Sequence, residues 1–472
     1  MKKNLEEKIK AVENSLLPAI SLQGSPAAPG NLMQRMEHYY APGVSIAVIN
    51  EQAIEWARGY GVLQAGSAAP VTPQTLFQAA SISKPVAAMA ALHLVQTGQL
   101  DLDADVNGAL RSWQVPENGH TRDSPVTLRG LLAHSAGLTV RGYMGYAADK
   151  ETPTLPQVLD GVGPANSDPV RVDAVPGSAF CYSGGGYTVM QQLLIDVTGK
   201  PFPQLMKEIV LDKVGMQHST FEQALPQAYT ALAASGHRPR GKPVAGRWHT
   251  YPELAAAGLW TTPSDLARFA IELLRSNAGQ SNEALSADMT HLMLTPQIAD
   301  FDGLGLALKH INGSTRFSHP GWNEGFRSFM FAYTGSGQGA VVMTNLDDGD
   351  SLALEIIRGI AHVYDWPDIC PGEKALAQVD PGVYDVYAGQ YQYVDEPDYG
   401  ILVTRQGDRL FMRGLPDGRS VELWPESETR YFVVENGMEM TFVRDSTGDV
   451  NALEMGWGEK LKRVAGPPLE EK

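Results

Sequence analysis

From Val86 to Val95 the chain is apolar on every side of a helical wheel, with one interruption at His93. A helix without a polar face has to run through the middle of a domain. Pro85 suits its first turn, where a missing N–H costs nothing, and Gly98 supplies a stop. The segment opens on Ser81-Ile82-Ser83-Lys84, so a serine and a lysine stand at the mouth of a buried helix. Residues three apart share one helix face, which brings Lys84 within reach of Ser81. A serine hydroxyl is a weak nucleophile until a base takes its proton, and a neighbouring lysine can be that base. The helix N-terminus adds partial positive charge where an oxyanion would develop. His93 reads as a satisfied core histidine.

Composition limits the alternatives. A chain of 472 residues needs two or three cores. Its net charge of −16 repels phosphate, which excludes nucleic acid and anionic membrane as partners. Cys181 and Cys370 are too few for a disulfide framework and read as free buried thiols. The N-terminal lysines are not followed by an apolar stretch, so no secretory signal is present, and no run reaches membrane-spanning length. The expectation is a cytoplasmic protein.

Residues 4–17 read as a short helix and 18–30 as a Pro/Gly/Ser/Ala-rich connector. Val44 to Ile49 and Ala53 to Ala57 alternate as a β-hairpin. Thr127 to His134 looks like a capped helix, with His134 bonding locally. Pro203 to Val210, Pro263 to Ser276 and Ser286 to Leu294 read as helices. Phe326 to Thr334 and Ala340 to Asn345 read as strands, so Gly335-Ser336-Gly337-Gln338-Gly339 is a hairpin turn rather than a phosphate loop. Ser351 to Val363 reads as a helix. Strands, a helical insertion, strands and a helix make an α+β domain whose sheet comes from both ends of the segment. Eight short alternating runs between Tyr387 and Val464 then predict a small antiparallel barrel or sandwich, of which the barrel is the expected form. The expected organisation is a first domain over residues 1–365, a linker over 366–381 and a barrel over 382–472.

Two more stretches carry chemistry. Pro176 to Tyr187 places Tyr182 in a Gly-rich loop ahead of the helix from Thr188 to Val197. A phenol beside an ammonium group can shuttle protons. Ser318-His319-Pro320-Gly321-Trp322-Asn323 reads as a turn feeding a strand, whose edge can offer a backbone N–H to an oxyanion.

In this order the three stretches resemble the serine β-lactamase and penicillin-binding-protein-like hydrolases, in the branch of the family VIII carboxylesterases and D-aminopeptidases. Two flanking phrases, Thr127 to Leu138 and Ala257 to Leu266, are also similar to that superfamily, and the likeness runs from about Pro42 to Val363. It implies a β-lactamase/transpeptidase-like fold, antiparallel sheet with flanking helices. It implies Ser81 as nucleophile, Lys84 and Tyr182 as shared base and His319 in the third motif. The oxyanion hole would lie at the N–H groups of Ser81 and Trp322, with Gly321, Asn323 and Gly184 lining the substrate side. The tail resembles lipocalin-like barrels appended to D-stereospecific peptidases of the superfamily.

Two departures stand out. Gly184 replaces a frequent asparagine, and His319 replaces the lysine of the β-lactamase motif. Both point away from β-lactamase and D-Ala-D-Ala carboxypeptidase activity, which remain the alternative. The expected protein is a cofactor-free, metal-free serine hydrolase of small esters or D-aminoacyl amides and peptides. A non-catalytic sensor on the same fold is the rival from another class, and a barrel serving ligand binding or homo-oligomer assembly is a further one.

Overall fold

Gly43–Asn50 (β1) and Ala53–Gly61 (β2) form the hairpin that their alternation predicts. Its partners come from the far end of the segment: Ala307–Ile311 (β3), Ser314–Asn323 (β4), Phe326–Tyr333 (β5) and Gly339–Thr344 (β6). The six strands are antiparallel in the order β2-β1-β6-β5-β4-β3, with Ala47 opposite Val341 and Phe329 opposite Pro320. Strand β1 is buried along nearly its whole length because it lies inside the sheet. The Gly335–Gly339 run is the β5–β6 turn.

This computed structural model describes residues 2–25, 28–394, 399–415 and 418–464. It divides into two compact units, residues 41–353 and residues 1–40 with 354–472. The chain passes from one to the other within the helix Asp350–Val363.

In the first unit the apolar helix is Ser83–Gln96 (α1), and every residue from Ser83 to Leu92 is buried. Gly184–Thr198 (α2) and the short Leu254–Ala257 (α3) pack on it, while Pro263–Asn277 (α4) covers β1, β2, β5 and β6. Helix α4 starts at a cap in which the Thr262 hydroxyl accepts the Asp265 N–H. The helix expected to begin near Ser81 begins later: Ser81 occupies a 3₁₀ turn, Ala80–Ile82. Ala80 has a left-handed φ of 50°, which costs about 1–2 kcal/mol for a residue with a Cβ. The sharp bend turns Ser81 out of the helix axis towards the cavity below.

In the second unit eight strands close a barrel, Gly389–Gln392, Gly400–Gln406, Arg409–Leu415, Ser420–Pro425, Arg430–Phe432, Glu439–Arg444, Val450–Met455 and Lys460–Val464. Closure comes from the first strand pairing with the last, Gln390 opposite Val464. Tyr387, Tyr391, Tyr431, Phe442, Leu453 and Leu461 fill the interior, with the Tyr387 and Phe442 rings stacked at 4.2 Å. The expected linker holds a strand of its own, Gly372–Lys374, paired in parallel with Ile20–Leu22. Arg35 makes two hydrogen bonds of 2.7 Å to Glu355 and one of 3.3 Å to Glu435. Segments 1–40 and 354–374 are thus tied into the barrel's own unit.

A further expectation is corrected. Cys181 and Cys370 are both free, as expected, yet both are exposed, because each sits in a loop rather than on a core-facing element. No helix among the described residues is long and apolar enough to cross a membrane.

Candidate active site

The Lys84 ammonium donates to Ser81 Oγ and to the Ala256 carbonyl, each at 2.9 Å. The second bond follows from helix geometry. The last carbonyls of a helix lack partners, and α3 ends there. Its Ala256 carbonyl takes Lys84, and its Ala257 carbonyl takes the Asn323 amide at 3.1 Å. The ammonium, 2 % exposed with its side chain, also lies 5.0 Å from the centre of the Tyr182 ring.

Ser81, Lys84, Tyr182 and His319 line one cavity of about 590 Å³, with Trp322, Asn323, Phe180, Phe301 and Leu306 among the other walls. Gly321 and Gly184 are not in the wall. Strand β4 passes so close to the nucleophile turn that a Cβ at residue 321 would lie 2.2 Å from the Ala79 carbonyl oxygen. That approach requires glycine. The Asn323 Nδ2 donates to Gln78 and Ala257 and so locks the end of β4, while its buried Oδ1 has no partner among the described residues. Strand β3 pairs with β4 only as far as Ser318, leaving the stretch from His319 onward without a strand on that side. The expected turn at Ser318–Asn323 is therefore a strand interior and edge. Pairing with β5 overrides the breaking tendency of Pro320 and Gly321.

Both histidines of the cavity are neutral. Burial, then the Lys84 charge, pulls His319 down to about 3. Its Nδ1 bonds the Pro320 carbonyl at 2.6 Å, so the proton is on Nδ1 and Nε2 is an acceptor. Burial, then Lys84 and His319, holds His134 well below the usual imidazole range. His134 was expected to bond locally. Instead its Nδ1 accepts the Ser183 N–H, at 3.1 Å, 49 residues along the chain, and its ring lies against Tyr182. The signal was present in the sequence only as a histidine ahead of Ser135-Ala136-Gly137, which says nothing of its distant partner.

Three other residues escaped the sequence reading. Arg141 and Tyr143 line the cavity from the loop after Leu138. A Cβ at residue 184 would lie 3.2 Å from both Tyr143 Cε2 and the Arg141 carbonyl oxygen, so this loop occupies the space a larger residue would need. Glu253, just before α3, is wholly buried, and neither carboxyl oxygen finds a hydrogen-bond partner among the described residues. Burial pushes its carboxyl up to about 8. No three His, Cys, Asp or Glu side chains gather as a metal site among the described residues.

A buried lysine on a serine hydroxyl, a phenol ring near the lysine and an open strand edge in the same cavity wall can support acyl transfer. Comparison with known proteins agrees. The Beta-lactamase family model matches residues 30–365. Penicillin-binding protein 4 of Amycolatopsis lactamdurans is 27% identical over 340 residues, covering 69% of this chain and 86% of that protein. Esterase EstB of Burkholderia gladioli is 26% identical over 274 residues, covering 52% of this chain and 68% of that protein. The structure of the octameric penicillin-binding protein homologue from Pyrococcus abyssi superposes with a TM-score of 0.58 at 21% identity, over 91% of this chain and 98% of that one. The fold is β-lactamase/transpeptidase-like with a closed antiparallel barrel after it, and the chain belongs to the Beta-lactamase family of serine hydrolases.

Proposed function

We propose that the protein hydrolyses carboxylic esters of apolar acyl groups through a Ser81 acyl-enzyme. The observation that carries this reading is the 2.9 Å contact between Lys84 Nζ and Ser81 Oγ inside a largely apolar cavity. Unprotonated Lys84 takes the Ser81 proton as Oγ attacks the ester carbonyl, and hands it on to Tyr182 as the tetrahedral intermediate collapses. Tyr182 passes a proton to the departing alkoxide as the C–O bond breaks. Water then attacks the acyl-enzyme by the same route in reverse. The Ser81 and Trp322 N–H groups hold the oxyanion. His319 Nε2, an acceptor, orients the Tyr182 hydroxyl or the attacking water.

The electrostatics favour esters over the other expected substrates. A lysine in the third motif would meet the carboxylate of a β-lactam or D-Ala-terminated peptide, and neutral His319 gives that position no charge. A D-aminoacyl amide brings an ammonium group. Asp302 is the carboxylate in the cavity wall, and its two oxygens accept the Ala299 and Ile298 N–H groups at 2.6 and 3.4 Å.

The test is intact-protein mass after exposure to hexanoyl 4-nitrophenyl ester, a D-alanyl anilide and a cephalosporin. A hexanoyl adduct that is lost in Ser81→Ala supports the reading. Acylation by the cephalosporin alone would sink it.

A further inference from the structure

The cavity wall carries one basic side chain without a partner among the described residues. Lys84 is taken up by Ser81 and Ala256, and His134 and His319 are neutral. Arg141 also lines the wall, is exposed, and makes no ion pair or side-chain hydrogen bond among the described residues. Its backbone, in contrast, is firmly held. The Arg141 carbonyl accepts the Gly184 N–H at 3.1 Å, the Val140 carbonyl accepts the Gly185 N–H at 2.9 Å, and the Thr139 carbonyl accepts the Ser183 hydroxyl at 2.8 Å. Three consecutive carbonyls thus fix residues 139–141 to the start of α2, directly after Tyr182. A guanidinium with a rigid base and an idle fork is suited to a planar anion.

Around it the mouth is apolar. Trp322 is 55% exposed and Phe301 47% exposed, and both line the same cavity. Gly184 makes the arrangement possible, since a side chain there would press on Tyr143 and on the Arg141 carbonyl. We propose that Arg141 is a specificity-determining residue that binds a carboxylate on the substrate, remote from the scissile bond, so that the preferred esters are half-esters of dicarboxylic acids with an apolar spacer. This rests on the esterase reading and adds a charge to it. The anion goes to Arg141, and the wall at His319 stays without one.

The experiment compares adipic acid mono-4-nitrophenyl ester with hexanoyl 4-nitrophenyl ester, each corrected for spontaneous hydrolysis. The readout is the ratio of their kcat/KM values in wild type, Arg141→Ala, Arg141→Gln and Arg141→Lys. Loss of a charge-assisted carboxylate contact is worth roughly ten- to a hundred-fold. The ratio should fall by that factor in the Ala and Gln variants, through KM, and by less in Arg141→Lys, which keeps the charge but loses the fork. An equal loss on both esters would assign Arg141 to packing and overturn the proposal, as would an unchanged ratio. Binding of adipic acid monoanilide and hexananilide to Ser81→Ala, measured by calorimetry, separates the two readings. A monoanilide preference abolished by Ser81→Ala/Arg141→Ala upholds the subsite even if no ester is turned over, and no preference overturns it.

Discussion

The imidazole of His134 lies 4.3 Å from the Tyr182 ring, centroid to centroid, with the planes tilted by 32°. It also accepts the N–H of Ser183, the next residue along. One side chain therefore fixes both the face of the phenol and the backbone that carries it. His134→Phe keeps a ring but leaves a buried N–H unpaired, which costs about 1–3 kcal/mol. The expected result is a lower melting temperature and a kcat reduced roughly ten- to a hundred-fold, as for displaced positioning groups, with KM little changed. A kcat equal to wild type would remove His134 from the positioning of Tyr182.

Ser81→Ala should abolish acyl-enzyme formation and lower turnover by several orders of magnitude, since nucleophile and base act as a unit. Lys84→Ala should be nearly as severe. It also strands the Ala256 carbonyl at the end of α3, so it should lower the melting temperature where Ser81→Ala does not. Steady-state rates and thermal melts on the same samples read both effects.

His319 stays neutral down to about pH 3, because burial and the Lys84 charge oppose its protonation. Cephalosporin hydrolysis should therefore be slow at pH 8 and no faster, relative to a short aryl ester, at pH 6. His319→Lys is expected to raise the cephalosporin-to-ester ratio of kcat/KM. A cephalosporin rate that climbs selectively on acidification would mean that the imidazole gains a proton in the cavity.

Glu253 gives a pH dependence of stability with a definite sign. Its folded-state carboxyl is raised from 4.5 to about 8 by burial. Between those values the folded protein keeps a proton that the unfolded chain has released. Its contribution is thus full below about pH 4.5 and is lost as pH rises towards 8. The melting temperature should fall across this window, and less steeply in Glu253→Gln. Parallel curves for the two proteins would show that the carboxyl is solvated.

We propose that the hydrolase machinery lies within residues 41–353 and that the terminal segments belong with the barrel. Cutting the chain near Pro371 removes Gly372–Lys374, the strand partner of Ile20–Leu22, and Glu435, a partner of Arg35. Such a truncation should be less soluble than one that also removes residues 1–40. Gel filtration of both decides the point, and a fully soluble, active 1–371 chain would favour a boundary after residue 365.

What could be read from the sequence was local. Ser81 and Lys84 are one helical turn apart, so spacing alone brings them together. The barrel strands announce themselves by a two-residue period, and Gly335–Gly339 by its flanking apolar runs. Relationships across the chain were not legible. Strand Ser314–Asn323 contains Pro320 and Gly321, and only its pairing with Phe326–Tyr333 makes it a strand. The bond from Ser183 to His134, the packing of Tyr143 over Gly184 and the free guanidinium of Arg141 depend on loops whose course no periodicity encodes. The exposure of Cys181 and Cys370 likewise follows from loop position, which composition does not report.

The sheet order has a consequence for biosynthesis. Strand β1 emerges from the ribosome early, yet one of its two neighbours, β6, is encoded about 300 residues later; at roughly 5–20 residues per second that is a wait of about 15–60 s. Throughout it, the edge of Gly43–Asn50 that will pair with β6 has no permanent cover. The nascent hydrolase unit is thus a natural client for chaperones that shield apolar segments during translation, and its yield should respond to elongation speed more than that of a protein whose neighbouring strands are made in succession.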